Sequence, residues 1–182
     1  MPNILIIVGS LRKHSLNRQL AEYIAKSLND DASIEFLDWS GFPVFNQDLE
    51  FPAPDCVSAA REQVAHADAI WIVTPEYNWG VPGGLKNAID WLSRPLEDGT
   101  AASIIGKVCT VSGVGGGSCA RNSFDCLIST LNFLKMDIPQ ASFTGVGYTR
   151  HDLETSVLEI TDYAKASIEQ QKIMLFKKLG KE

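Results

Sequence analysis

The residues best suited to chemistry lie in one loop, which begins at Gly9 and carries two hydroxyls, an amide and a guanidinium. These side chains belong to Ser10, Arg12, Ser15 and Asn17. The loop follows the apolar, β-branched run 4–8 and precedes an amphipathic pattern, so it should join a buried strand to the N-terminus of a helix. Free backbone N–H groups and the positive end of the helix dipole favour phosphate there. The loop therefore predicts a monophosphate site; the alternative is that Ser15 only caps the helix.

The same loop does not match the two common glycine-rich nucleotide motifs. The lysine-bearing P-loop needs two glycines and a Gly-Lys-Ser/Thr ending, whereas residues 9–17 contain one glycine and no such ending. The dinucleotide fingerprint needs three spaced glycines, which are also missing from residues 9–17. A loop rich in hydroxyls suits one terminal phosphate that is held from several sides.

The composition predicts one compact domain over residues 1–182. Of the 182 residues, 45% are hydrophobic and 21% are charged, which suits one sizeable core. No apolar run approaches membrane-spanning length and no secretory signal is visible, so we expect a cytoplasmic protein. The formal net charge of -6 argues against a general nucleic-acid or anionic-membrane surface. The four cysteines show no metal-ligand spacing, so no metal site is expected.

Strand-like and helix-like patterns alternate along the chain. The predicted strands are 4–8, 33–37, 69–73, 106–112 and 140–144. The predicted helices are one that follows Ser15 and four more at 56–66, 85–92, 120–134 and 153–175. This alternation predicts right-handed crossovers and a doubly wound, five-stranded parallel sheet with helices on both faces.

Ligands of such a sheet bind at the carboxyl ends of its strands, so the loops after the first, third and fourth strands should converge. The third-strand loop, 75–84, offers aromatic faces and amide groups. The fourth-strand loop, 112–118, is rich in glycine and lets backbone approach a flat ligand. A phosphate site beside two ring-binding loops indicates a mononucleotide with a planar head, and flavin mononucleotide (FMN) fits best.

Several stretches of the sequence also form a specific set of motifs. Residues 9–17 read Gly-Ser-x-Arg-x-x-Ser-x-Asn, residues 75–78 read Pro-Glu-Tyr-Asn, and residues 85–91 read Leu-Lys-Asn-Ala-Ile-Asp-Trp. With the second-strand loop 37–48, these motifs resemble those of the NADPH-dependent FMN reductases, a flavodoxin-like family that includes bacterial quinone and chromate reductases. The likeness covers nearly the whole chain and implies the flavodoxin-like strand order 2-1-3-4-5.

This resemblance implies an FMN-dependent NAD(P)H oxidoreductase with ping-pong kinetics. Hydride from NADPH or NADH would reach flavin N5, and the electrons would pass to a quinone or similar small acceptor. The flavin carries the chemistry, so no catalytic side chain is expected. The FMN-binding residues implied by the family are Gly9, Ser10, Arg12, Ser15 and Asn17 at the phosphate, Pro75, Glu76, Tyr77 and Asn78 along the ring, and Ser112, Gly113, Gly116 and Gly117 on its other side.

The resemblance further implies a homodimer or homotetramer. One departure bears on this assembly and on the dinucleotide site: Asp125 stands where the family often has arginine, and Arg121 is the nearest substitute. Structural roles remain the alternative for the individual site residues, and they are the preferred interpretation for Asp90 and Trp91. Two other functions stay open, which are a flavodoxin-type electron carrier and a non-catalytic interaction domain of the same fold.

Overall fold

The computed structural model describes residues 1–140 and 142–181. Its five strands are β1 (Asn3–Val8), β2 (Ser33–Phe36), β3 (Ala69–Val73), β4 (Val108–Gly115) and β5 (Phe143–Gly147). They form one parallel sheet in the order β2-β1-β3-β4-β5. This order confirms the predicted flavodoxin-like, doubly wound sheet.

Within residues 1–140 and 142–181, six α-helices connect or follow the strands. They are α1 (Leu16–Leu28), α2 (Asp55–His66), α3 (Gly83–Leu92), α4 (Arg121–Phe133), α5 (Arg150–Thr155) and α6 (Asp162–Lys178). A short 3-10 turn, Gln47–Leu49, lies in the loop after β2. No helix in the described ranges has both the length and the apolar content needed to span a bilayer.

The central strands are apolar on both faces because a layer of helices covers each face. Ile4 and Ile6 of β1 pack in the layer formed by α1 and α6. Leu5 and Ile7 of the same strand pack in the opposite layer, with α2, α3 and α4. All four side chains are buried. The core thus has two layers, and the parallel strands bring all their carboxyl ends to one edge.

Strands β4 and β5 end later than the sequence predicts. β4 continues three residues beyond the predicted end, and β5 begins at Phe143 rather than at residue 140; position 141 of the predicted strand lies outside the described residues. Glycines misled the prediction, since glycine is disfavoured in strands. Gly113 nevertheless pairs with Gly145 in the ladder. Glycine is required at both positions because the turn before α4 packs directly on them. A Cβ on Gly145 would collide with the carbonyl oxygen of Cys119.

The predicted helix 153–175 is wrong as one element, because the structure contains two helices in this region. Thr149 and Asp152 form a capping box that starts α5 early, and Ser156 ends it in the left-handed conformation with φ 55°. Thr161 then caps α6 by accepting a hydrogen bond from Ala164 N. The left-handed residue Ser156 thus ends α5, and side-chain caps begin each of the two helices. The apolar pattern alone had suggested one continuous helix.

Buried polar contacts fix α6 to the middle of the sheet. Gln171 Nε2 donates to Thr110 Oγ1 at 2.7 Å and to Val111 O at 2.9 Å. Ser112 Oγ donates to Gln171 Oε1 at 2.9 Å, and Trp71 Nε1 donates to Ser112 Oγ at 3.0 Å. The four polar side chains are therefore satisfied by one another, as buried polar groups must be.

Candidate cofactor site

The loops after β1, β3 and β4 converge, as predicted, at the carboxyl edge of the sheet. They surround a cleft of about 240 Å³. The cleft is lined by eight of the predicted site residues: Ser10, Arg12, Ser15, Asn17, Pro75, Glu76, Tyr77 and Gly116. A larger cavity of about 670 Å³ lies between the N-terminal residues and α6, and it contains none of the predicted site residues. The smaller cleft is therefore the candidate cofactor site because the predicted polar side chains converge there, although it is not the larger of the two cavities.

The first loop ends in the cap of α1. Ser15 Oγ accepts a hydrogen bond from Arg18 N, so the N-cap alternative for Ser15 is present in the structure. The N–H groups in the first turn of α1 have no partner within the helix and lie where the dipole favours an anion. Arg12 is exposed, and its Nη2 donates only a long hydrogen bond of 3.4 Å to Ser156 Oγ. A cation and a helix N-terminus thus meet at this end of the cleft.

The side chain of Asn17 is committed to the sheet. Asn17 Nδ2 donates to Val114 O at 3.1 Å, and Val114 N donates to Asn17 Oδ1 at 2.9 Å. Both contacts are buried, so they tie α1 to the end of β4. A contact between this residue and a phosphate could come from its backbone N–H or from the second N–H of Nδ2.

The loop after β3 forms a tight hairpin turn. Tyr77 N donates to Gly80 O at 3.1 Å, and Gly80 N donates to Tyr77 O at 3.0 Å. Asn78 and Trp79 between them have φ values of 50° and 63°, the left-handed pair that such two-residue turns require. Trp79 is 76% exposed at the tip. Asn78 lies in this turn, beyond the residues that line the cleft.

Glu76 lines the cleft, but its carboxylate is engaged by α4. It accepts hydrogen bonds from Asn122 N at 2.9 Å, Asn122 Nδ2 at 3.1 Å and Ser123 N at 3.4 Å. Desolvation alone would raise the pKa of Glu76, but the hydrogen bonds from Asn122, Ser118 and Ser123 outweigh it and lower the pKa below its ordinary value. The side chain is therefore an ionised hydrogen-bond acceptor at neutral pH.

Four predicted site residues lie beside the cleft rather than on it. Ser112 is fully buried in the contacts with Gln171, and a Cβ on Gly113 would collide with the carbonyl oxygen of Thr74. Similarly, a Cβ on Gly9 would lie 2.7 Å from Thr74 Oγ1. These three residues support the cleft through close packing. Gly117 follows the lining residue Gly116 and has open space where a side chain would be.

Sequence reasoning missed residues that complete the cleft. Val114, Gly115, Tyr148 and Leu153 all line it. Tyr148 N donates to Gly115 O at 3.1 Å, and a Cβ on Gly116 would lie 3.4 Å from Tyr148 Oη. The signal for Tyr148 was an aromatic residue just after the last strand, but it was lost because that strand was predicted to end at residue 144.

The residues of the cleft fit an FMN molecule. One end offers the Arg12 guanidinium, which makes no ion pair within residues 1–140 and 142–181. The other end offers Tyr77, Tyr148 and the backbone of Gly115 and Gly116. A guanidinium suits a phosphate, and aromatic groups with bare backbone suit a flat ring. In the part of the chain that the structure describes, no group of three His, Cys, Asp or Glu side chains could hold a metal ion.

The remaining candidates take structural positions. Asp90 forms an exposed ion pair with Lys86, and Trp91 is buried with its Nε1 donating to Pro43 O at 2.8 Å. Asp125 pairs with Arg121 at 2.9 Å one helical turn earlier, so its charge is balanced within α4.

Comparisons with known proteins agree with this geometry. The sequence model of a family described as NADPH-dependent FMN reductase matches residues 2–150. A 2-hydroxy-1,4-benzoquinone reductase of a Burkholderia species is 38% identical over 153 residues, which are 82% of this chain and 79% of that protein. A quinone reductase of Escherichia coli is 33% identical over 165 residues, which are 87% of this chain and 85% of that protein.

Solved structures give the same grouping. A flavoenzyme NAD(P)H:(acceptor) oxidoreductase from Paracoccus denitrificans superposes with a TM-score of 0.82 and 26% identity, covering 97% of this chain and 98% of that one. An FMN-dependent NADH-azoreductase from Bacillus anthracis, solved with FMN, has a TM-score of 0.60 and 17% identity, over 97% of this chain and 99% of that one. The second likeness concerns the fold alone.

Proposed function

Because this chain belongs to the NADPH-dependent FMN reductase family, and is thus an FMN-dependent NAD(P)H oxidoreductase, we propose that its electron acceptor is a quinone or a similar small molecule. The observation that carries the proposal is the cleft in which an exposed guanidinium, a helix N-terminus and bare glycine backbone meet. The names of the relatives supply the acceptor class. We further propose that residues 1–182 act as one FMN-binding domain in the cytoplasm, without nucleic-acid or membrane partners.

The phosphate end of the cleft binds through charge. Arg12 would donate to the phosphate with its guanidinium, and Ser10 would add a hydroxyl. The first-turn N–H groups of α1, including that of Asn17, would add backbone donors. Ser15 holds these N–H groups in place by capping the helix.

The ring end of the cleft binds through shape. Pro75 and Tyr77 would lie along one side of the isoalloxazine, and Gly115, Gly116 and Tyr148 would lie along the other. Bound FMN would supply the redox chemistry, while these residues orient the ring and leave room for the two substrates in turn. The other predicted residues Gly9, Glu76, Asn78, Ser112, Gly113 and Gly117 would act by shaping these loops.

A homodimer or homotetramer would complete this site. Ligand pockets usually have volumes of about 300–1,000 Å³, whereas the cleft of one chain has about 240 Å³. Tyr77 and Trp79 are 51% and 76% exposed beside it, which favours their burial against a second copy. Light scattering coupled to size exclusion tests this proposal, and a monomer at micromolar concentration would contradict it.

Anaerobic stopped-flow absorbance tests the function. The FMN-loaded protein is mixed with NADPH or NADH, and then with a benzoquinone. We expect fast loss of the flavin band with at least one dinucleotide and its return on addition of the quinone. Loading of FMN without reduction would contradict the reductase function and favour an electron carrier, and failure to load FMN would contradict the cofactor site.

A further inference from the structure

Helix α4 lacks an N-terminal cap of its own. The two residues before it, Cys119 and Ala120, are both left-handed, with φ values of 49° and 62°. Ala120 stands at the N-cap position and makes no side-chain hydrogen bond to the helix. Alanine is a poor N-cap because it offers no acceptor to the free N–H groups of the first turn. The helix therefore needs an acceptor from elsewhere in the chain.

Glu76 supplies that acceptor from the loop after β3. Its carboxylate receives the N–H groups of Asn122 and Ser123 and the side-chain amide of Asn122. We propose that Glu76 is a positioning residue, which caps α4 and so holds the β3 loop and the β4 loop together as one wall of the cofactor cleft. The proposal rests on the function proposed above and adds a role that does not require the carboxylate to contact FMN.

The start of α4, which makes this contact, is itself packed tightly against β4. A Cβ on Gly113 would lie 2.8 Å from Ala120 Cβ, and a Cβ on Gly115 would collide with Ala120 N. The left-handed turn therefore packs directly on β4, with no side chain between them. Because this turn is fixed on the sheet, a hydrogen bond to α4 also fixes the residue that accepts it.

The contact between Glu76 and α4 connects residues on both sides of the cleft. Pro75 and Tyr77, the neighbours of Glu76, line the cleft together with Gly115 and Gly116. The two pairs of residues are far apart in sequence and meet at the cleft. Without the Glu76 contact, the β3 loop would be held by its own turn and by a long hydrogen bond of 3.8 Å from Cys126 Sγ to Trp79 O. The width of the cleft would then vary.

The charge around Glu76 indicates that it acts through helix capping rather than an ion pair. Arg121 is the first residue of α4, but its Nε donates to Asp125 at 2.9 Å, and its guanidinium lies over the rings of Phe124 and Phe143. The negative charge of Glu76 is instead met by N–H donors and by the positive end of the α4 dipole. The contact thus depends on both the charge and the position of the carboxylate.

Three variants separate positioning from simple helix stability. Glu76→Gln keeps the size of the side chain and one acceptor but removes the charge, Glu76→Ala removes both, and Asn122→Ala removes only the side-chain donor. Glu62→Gln, at an exposed glutamate of α2 away from the cleft, is the matched control. Each protein is measured for FMN dissociation constant by fluorescence titration and for free energy of unfolding by urea.

We expect Glu76→Ala to weaken FMN binding about five- to tenfold, since an N-cap contact is lost together with the loop position that depends on it. Glu76→Gln and Asn122→Ala should each give a smaller loss, and adding Asn122→Ala to Glu76→Ala should give no further loss. Affinity that stays equal to that of Glu62→Gln in all three variants would overturn the proposal. If Glu76→Ala does not fold, the other two variants still decide it.

Hydrogen exchange of the apoprotein tests the contact between Glu76 and α4 without FMN. In Glu76→Gln we expect faster exchange at the amides of Asn122 and Ser123, and also at Tyr77 and Gly80 in the β3 loop. Faster exchange in α4 alone would mean that Glu76 serves only the helix, and it would overturn the positioning role. A wild-type protein that fails to bind FMN would refute the proposed function, while this comparison would still report on the tie between the loops.

Discussion

The two walls of the cleft are built in opposite ways. The phosphate wall, residues 10–17, contains the exposed Arg12 with one long contact. The ring wall, residues 75–80 and 113–117, is closely packed at Gly113 and Gly115, and Glu76 is satisfied by three donors within the protein. One wall keeps its charge available, whereas the other uses its polar groups to hold itself in place.

This difference suits the part of FMN that we propose for each wall. A phosphate is recognised by donors and a cation that must be free to reach it. A flat ring is recognised by shape, and shape requires a backbone that stays fixed before the ligand arrives. An exposed cation and a satisfied carboxylate, which follow neighbouring strands, would thus serve the same proposed ligand in different ways.

The largest expected effect comes from disturbing the ring wall at Gly113. Gly113→Ala should lower the free energy of unfolding by about 3 kcal/mol, because the new Cβ overlaps Thr74 O and Ala120 Cβ. Gly117→Ala is the control, since open space surrounds that position, and it should change stability by less than about 1 kcal/mol. Urea unfolding compares them. Equal stability of the two variants would mean that the ring wall is not tightly packed.

Removing the guanidinium of Arg12 should weaken FMN binding at the phosphate wall without unfolding the protein. Arg12→Ala should weaken FMN binding by about 1.5–3 kcal/mol, the range for a charge-assisted hydrogen bond, and leave the unfolding free energy unchanged. The control is Arg18→Ala, because Arg18 is already paired with Glu22 at 2.9 Å. Fluorescence titration measures the FMN dissociation constant of both variants. Equal FMN affinity in the Arg12 variant and the wild type would defeat the phosphate assignment.

A smaller effect concerns Asp152, which holds α5 behind the phosphate wall. Its carboxylate accepts hydrogen bonds from the Thr149 hydroxyl and N–H, both at 2.6 Å, and from Glu159 N at 2.8 Å. These contacts, led by the Thr149 hydroxyl, lower the pKa of Asp152 below 3.8. A depressed pKa stabilises the fold above the unfolded value, so this stability is lost as pH falls below 3.8 and through the folded pKa.

Asp152→Asn should therefore cost about 1–2 kcal/mol at pH 7, as for loss of a helix cap, and less at lower pH. Unfolding free energies at pH 7 and near pH 3 measure the difference between variant and wild type. A difference that stays constant over this range would show that the charge of Asp152 does not matter.

The smallest expected effect is that of Arg121 on the outside of α4. The Arg121–Asp125 pair is exposed on both sides, so Arg121→Ala should change stability by less than about 0.5 kcal/mol. Steady-state kinetics with NADPH and NADH should be unchanged as well. A selective rise in KM for NADPH would instead mean that Arg121 replaces the family arginine in the dinucleotide site.

The position of the site could be predicted because local signals sufficed. The run Ile4–Val8, the polar loop after it and Ser15 at the helix start are neighbours in sequence. The alternation of strands and helices then indicates a doubly wound parallel sheet, and the resemblance of the motifs to the family implies its strand order. These features needed no knowledge of distant contacts.

The partners of individual side chains could not be predicted in the same way. The amide of Asn17 bonds to Val114, which is 97 residues away, and the carboxylate of Glu76 bonds to residues 46 and 47 positions later. In the sequence, Gly113 and Gly115 resemble loop residues. Their place in a strand is explained by the turn at Cys119 and Ala120, which packs against them and leaves no room for a side chain. Such contacts are set by tertiary packing, so the motif identifies the residue but not its partner.

The contacts of Gln171 bear on the order in which the chain is made. During synthesis from the N-terminus, Thr110 and Ser112 emerge long before Gln171, which follows Ser112 by 59 residues. A nascent chain that already contains all five strands still lacks the side chain that satisfies these polar groups in the core. The sheet can therefore complete its polar contacts with α6 only after α6 has left the ribosome, long after the strands themselves have been made.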